Sequence, residues 1–133
     1  MKKKNIHILL ILLVSTISCS KITYNGIRAK NWKVISEENQ IKANFDSFSG
    51  DTFKEIKVDT KNNVHFNFDI ELDKGYIIIA LLDDRAMPVW ISDKIENKKR
   101  LESSIKVLPK KKYKIYIQGK NASGNFNITW KLN

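Results

Sequence analysis

Val64-His65-Phe66-Asn67-Phe68-Asp69-Ile70-Glu71-Leu72 is apolar at every even position and polar at every odd one. Successive side chains of an extended chain point to opposite faces. This register therefore gathers Val64, Phe66, Phe68, Ile70 and Leu72 on one face and His65, Asn67, Asp69 and Glu71 on the other. One packed face and one wet face is the pattern of an antiparallel sheet. Asp73-Lys74-Gly75 follows with turn chemistry, Gly75 supplying a positive φ, and predicts a reversal of the chain. Tyr76-Ile77-Ile78-Ile79-Ala80-Leu81-Leu82 is apolar on both faces, which predicts a strand covered on both sides.

The same period of two extends in both directions. Trp32, Val34 and Ser36 alternate with Lys33 and Ile35; Ile41, Ala43 and Phe45 with Lys42, Asn44 and Asp46; Ile56 and Val58 with Glu55, Lys57 and Asp59. Val89-Trp90-Ile91 is a short strand, Ser92 to Arg100 a charged loop, and Ile105 and Val107 mark a further strand. Tyr113, Ile115 and Ile117 form the first arm of an expected hairpin, Gly119 to Gly124 its turn, and Phe126, Ile128, Trp130 and Leu132 its second arm. The arms are expected to face the Val64–Leu72 strand across the core. No segment from Trp32 onward carries a helical period. Seven or eight short strands predict an all-β chain, an antiparallel β-sandwich of jelly-roll or Ig-like type.

The 133 residues suffice for one such domain, and the 42% hydrophobic and 29% charged fractions exclude disordered and polytopic membrane classes. A single cysteine excludes a disulfide framework and a Cys-rich zinc site.

At the N-terminus, Met1-Lys2-Lys3-Lys4 precedes the uncharged run Ile8-Leu9-Leu10-Ile11-Leu12-Leu13-Val14 and then the small polar residues Ser15-Thr16-Ile17-Ser18 before Cys19. Basic, apolar and small-residue regions in that order make a secretory signal peptide. Ile6 to Ile17 would span roughly 18 Å as a helix, well short of the hydrocarbon core of about 30 Å. The expected organisation is a signal peptide over 1–18, a lipidated N-terminus and tether over 19–31, and the sandwich over 32–133. The net charge of +10 falls to +7 without the three leader lysines.

Thr16-Ile17-Ser18-Cys19 resembles the lipobox of bacterial lipoproteins, with Thr16 standing where an aliphatic residue is usual. The resemblance implies a diacylglyceryl group on Cys19, cleavage after Ser18, and anchoring to the outer face of the cell membrane or to the outer membrane. Each buried methylene adds about 0.8 kcal/mol, so several chains on one cysteine hold firmly. The order Phe48-Ser49-Gly50, the alternating strand, the Gly75-led apolar strand with its Asp83-Asp84 loop, Tyr113 to Ile117, and Gly124-Asn125-Phe126 with Trp130 is similar to small bacterial lipoproteins of unassigned role. It also resembles the jelly roll of pre-peptidase C-terminal domains, which implies a non-catalytic accessory module.

Catalytic motifs are not evident. Past the leader, His65 is the single histidine, on the polar face of its strand, and no Ser-His-Asp set, H-E-x-x-H pair or phosphate-cradling Gly loop accompanies it. Asp83 and Asp84, with Asp73 or Asp93, offer oxygen ligands for calcium but match no EF-hand spacing; they are read as a turn capping its own backbone. No enzyme activity, cofactor or metal is expected. Two basic runs stand out, Lys98-Lys99-Arg100 and Lys110-Lys111-Lys112 with Lys114, expected in loops at the two ends of one strand. Export argues against nucleic acid as their partner. Anionic lipid or an anionic envelope polymer fits better, at roughly 1 kcal/mol per lysine near a charged surface, and the competing reading is solubility with edge-strand protection by lysine. The function expected is therefore a membrane-anchored surface lipoprotein serving as a binding or envelope-structural module. The alternative is a ligand- or inhibitor-type domain whose loops engage a specific protein or carbohydrate.

Overall fold

A computed structural model describes residues 22–133; the leader and Cys19 lie outside the described residues. The described residues form seven strands: β1 (Ile27–Lys30), β2 (Lys33–Glu37), β3 (Gln40–Lys57), β4 (Asn63–Leu82), β5 (Pro88–Ile91), β6 (Lys98–Lys106) and β7 (Lys112–Leu132). All pairings are antiparallel, as the alternation predicts.

Three strands are far longer than expected. β3, β4 and β7 have 18, 20 and 21 residues, and each runs through a bend that the sequence presents as a turn. β7 lies in the middle, with β3 on one side and β4 on the other. Their registers shift between Phe45 and Gly50 on β3 and between Leu72 and Tyr76 on β4, opposite Gly119–Gly124 of β7. Bulges of this kind let strands turn a corner and pass from one layer of a sandwich to the other. The expected hairpin of Tyr113–Ile117 with Phe126–Leu132 is thus one bent strand. Asp73-Lys74-Gly75 likewise bends β4 and does not reverse it.

At the bend, Gly124 has φ +141°, and a Cβ there would overlap the Glu71 carbonyl oxygen; at Gly75, φ +73°, it would overlap the Lys120 and Asn121 carbonyls. Both positions need glycine because backbone passes where a side chain would be.

One layer contains the first half of β3, the second half of β7 and the first half of β4, flanked by β2 and β6. The other contains the remaining halves, flanked by β5, with β1 paired to β3 at the bend. Val64, Phe66, Phe68, Ile70 and Leu72 are all buried, in agreement with the alternation. Phe126, Ile128 and Trp130 are buried too, but they neighbour these residues in the same layer, Phe66 opposite Trp130 and Phe68 opposite Ile128. Ile77, Ile79, Leu81, Ile115 and Ile117 complete the core from the other halves of β4 and β7.

Within the stretch expected as a tether, Ile27–Lys30 forms an edge strand against β3, and Ile22, Asn25 and Gly26 are hydrogen-bonded to the domain as well. The double-sided apolar pattern of Tyr76–Leu82 is explained by that segment. Ala80, Leu82 and Tyr116 make a small second apolar cluster on the outer face of the sheet, with Ile22 and Ala86 packed against it.

Candidate functional site

The segment ahead of β1 crosses the outer face of the second layer. At one end the Ile22 N–H donates to the Ala86 carbonyl at 3.0 Å, and in the middle Tyr24 meets Phe53 edge to face at 5.1 Å. At the other end the N–H groups of Asn25 and Gly26 both donate to Oδ1 of Asp51, at 2.8 and 2.7 Å. Asp51 is 1% exposed and is the one buried charged residue among those described. Its second oxygen accepts the Tyr116 hydroxyl at 2.8 Å, and its own N–H donates to the Gly26 carbonyl at 3.0 Å. A buried carboxylate needs such partners to offset its desolvation. Burial, then the hydrogen bond to Asp51 and its negative charge, pushes the Tyr116 hydroxyl well above the ordinary tyrosine range.

Because this carboxylate fixes Asn25 and Gly26 beside the bend, a polar groove forms there. Its volume is about 620 Å³, and Asn25, Arg28, Tyr76, Gln118, Lys120 and Asn121 are among its walls. The Lys94 ammonium sits 4.6 Å from the centre of the Tyr76 ring and adds positive charge nearby. Amide groups that both donate and accept, a guanidinium and an aromatic ring are the groups that bind a polyhydroxylated ligand carrying negative charge. None of these groove residues was among the candidates read from the sequence. The one available signal was Tyr76–Leu82, whose two apolar faces require a covering segment.

The basic runs are placed differently from expectation. Lys98, Lys99 and Arg100 are not in a loop but open β6, opposite Glu71, Ile70 and Asp69. Arg100 Nε lies 3.5 Å from Asp69 Oδ2. Pairing with β4 draws these residues into the sheet, and their side chains leave a charged outer edge that discourages further strand pairing. Lys110 occupies a turn at φ 58°, Lys111 Nζ is 3.9 Å from Asp84 Oδ2, and Lys112 begins β7. Lys114 Nζ stands 4.5 Å from the Phe53 ring centre. The register keeps the two runs apart, since Lys98 pairs near the bend with Glu71 and Lys106 pairs with Asn63 at the far end of β6.

Lys111, Lys112, Arg85 and Val89 line a second groove of about 510 Å³ beside the Asp83–Met87 loop. Asp83 Oδ1 accepts the N–H groups of Arg85 and Met87, each at 2.9 Å, so this carboxylate serves its own turn. His65 Nδ1 lies 2.8 Å from Ser104 Oγ on the outer face of the sheet. Among the described residues no group of three His, Cys, Asp or Glu side chains is placed to hold a metal, and no helix is long and apolar enough to cross a membrane.

An antiparallel sandwich with a bent central sheet and a polar groove on its outer face defines the structural class. Solved structures share the fold. A CBM4 structure aligns with TM-score 0.54 at 11% identity, covering 81% of this chain and 79% of that one. TmCBM61 in complex with β-1,4-galactotriose aligns with TM-score 0.47 at 15% identity, over 81% of this chain and 88% of that one. A carbohydrate-binding module of Cellvibrio mixtus lichenase 5A in complex with cellotriose gives 0.42 at 8% identity, over 80% and 87%. These likenesses speak for the fold alone. The likeness to the CBM4 structure supports the β-sandwich of jelly-roll type; the sandwiches found are described as carbohydrate-binding modules and not as the pre-peptidase C-terminal type. No protein-family profile matches the chain, and no curated protein does.

Proposed function

We propose that this protein is a non-catalytic glycan-binding module, exported and held at the bacterial cell surface by lipid on Cys19, with an anionic envelope polysaccharide as its ligand. The observation that carries the reading is the bend groove, where Asn25, Gln118 and Asn121 supply amides, Tyr76 a ring, and Arg28 and Lys120 positive charge. Sugars present hydroxyls that match amide donors and acceptors and apolar faces that match an aromatic ring. The fold class, shared with sugar-binding sandwiches, supports the reading without deciding the ligand. The anchor rests on the leader and on Cys19 as the single cysteine.

The test is titration calorimetry with polysaccharides purified from the organism's own envelope. The expected result is saturable binding that falls at least about tenfold, or 1.4 kcal/mol, in Gln118→Ala and in Tyr76→Ala. Binding indifferent to both substitutions, or absent for every envelope glycan, overturns the groove assignment. Intact mass of the membrane-extracted protein tests the anchor, with loss of residues 1–18 and added acyl mass expected.

A further inference from the structure

We infer that the end of the sandwich carrying the Asp83–Met87 loop and the Val107–Lys112 turn is a docking face for an anionic lipid surface, and that it holds the bend groove away from the membrane. The inference rests on the proposed anchor at Cys19. Ile22 is three residue steps beyond Cys19, and a chain covers at most about 3.3–3.6 Å per step, so an anchored sulfur stays within roughly 10–15 Å of Ile22. Ile22 is fixed to the domain at Ala86, by its N–H and by packing against the cluster of Ala80, Leu82 and Tyr116. Within the stretch expected as a short tether, Ile22 and Ile27–Lys30 are held on the domain. The membrane must therefore lie close to the Ala86 loop.

That end has the chemistry of a membrane-facing surface. Leu108 is 63% exposed and Val89 46%, the former beside the turn that holds Lys110, Lys111 and Lys112. Arg85 and Lys106 belong to the same groove. Asp83, Asp84 and Asp59 are the carboxylates at that end: Asp83 is held by its own turn and lies 3.9 Å from Arg85, and Asp84 lies 3.9 Å from Lys111. The Lys110 N–H donates to the Asp59 carbonyl, leaving Lys106, Lys110 and Lys112 as the surplus of positive charge. A basic surface with protruding aliphatic side chains suits anionic headgroups, whose attraction fades within a Debye length of about 10 Å. The segment leaving Ile22 then climbs the outer face and ends at Asp51 and the bend, so the groove lies at the opposite end of the same layer. Lys98, Lys99 and Arg100 pair beside the bend and take no part in docking.

Full-length lipid-modified protein is reconstituted in phosphatidylcholine vesicles with and without phosphatidylglycerol. A single fluorophore is attached through Leu108→Cys or through Lys99→Cys, the sulfur of Cys19 being occupied by lipid. Quenching by a headgroup-attached quencher is expected to be several-fold stronger at position 108 than at 99 in the anionic vesicles. The contrast should shrink at high salt and in the double variant Lys111→Glu, Lys112→Glu. Acyl mass with equal quenching at the two positions overturns the docking face alone. Absence of acyl mass in the purified protein overturns the anchor, and the docking inference falls with it.

Discussion

The Tyr116 hydroxyl donates to Asp51 Oδ2 at 2.8 Å while the other oxygen of the same carboxylate takes the backbone N–H groups of Asn25 and Gly26. One buried side chain thereby ties the middle strand of the sheet to the segment that crosses it. The segment has few other holds: Tyr24 is 51% exposed, and Ile22 is only partly buried. Without the carboxylate, Asn25 on the groove wall loses its side-chain hold, whereas Arg28 stays in β1, paired opposite Ser49.

Asp51→Ala is expected to lower stability by about 2–4 kcal/mol, since it leaves two N–H groups and a buried hydroxyl without their charged partner. Denaturant unfolding measures the loss. Hydrogen exchange adds the location, with faster exchange at Asn25 and Gly26 and little change in the paired stretch Val64–Ile70. Uniform acceleration across the domain would contradict a local latch.

The raised titration of Tyr116 makes an alkaline prediction. An unfolded tyrosine loses its proton near pH 10, whereas the folded one keeps it to higher pH, so the folded state binds the extra proton in that window. The resulting contribution to stability is fully present below about pH 10 and is lost as pH climbs from there through the folded value. Tyr116→Phe should unfold with a shallower dependence on pH above about 10 than the parent, while costing about 0.5–1.5 kcal/mol at neutral pH. Identical alkaline profiles would show that another group governs the region.

Phe68 is 2% exposed, stacked on Phe66 at 5.4 Å and on Trp90 at 5.4 Å with an interplanar angle of 5°. Phe68→Ala is expected to cost about 3–5 kcal/mol, as large aromatic deletions in cores do. His65→Ala, on the outer face beside Ser104, should cost under about 0.5 kcal/mol. Chemical denaturation of the two variants side by side is the check; comparable losses would mean the faces of β4 are exchanged.

Gly124→Ala is expected to destabilise the fold by at least about 2 kcal/mol, because the positive φ and the Glu71 carbonyl both oppose a side chain. Thermal unfolding gives the measurement. Gly26→Ala is the contrast, since no atom lies within 4 Å of a Cβ there and only its φ of +89° opposes the change. A loss at Gly124 no larger than at Gly26 would remove the close approach of backbone as the reason for the bend.

The alternation of Val64–Leu72 determined by itself which side chains are buried, because a period of two leaves one choice of face once a core exists. The same reasoning placed Ile41, Ala43, Phe45, Ile115, Ile117, Phe126 and Ile128 inside. Whether Gly75 and Gly119–Gly124 reverse the chain or bend it was beyond local reading, since a glycine at positive φ serves a turn and a bulge equally well. The partner strand decides, and β7 passes both sites without a break. Lys98, Lys99 and Arg100 read as loop because charge is a weak argument against an edge strand whose pairing comes from β4, some thirty positions away. Asp51 was silent for a related reason. A single aspartate in a polar stretch carries no periodic signal, and its burial exists only once β3, β7 and the segment ahead of β1 have met around it. Side-chain faces are local properties of an extended chain, whereas bends, latches and grooves are made by contacts between distant segments, and only the tertiary structure contains them.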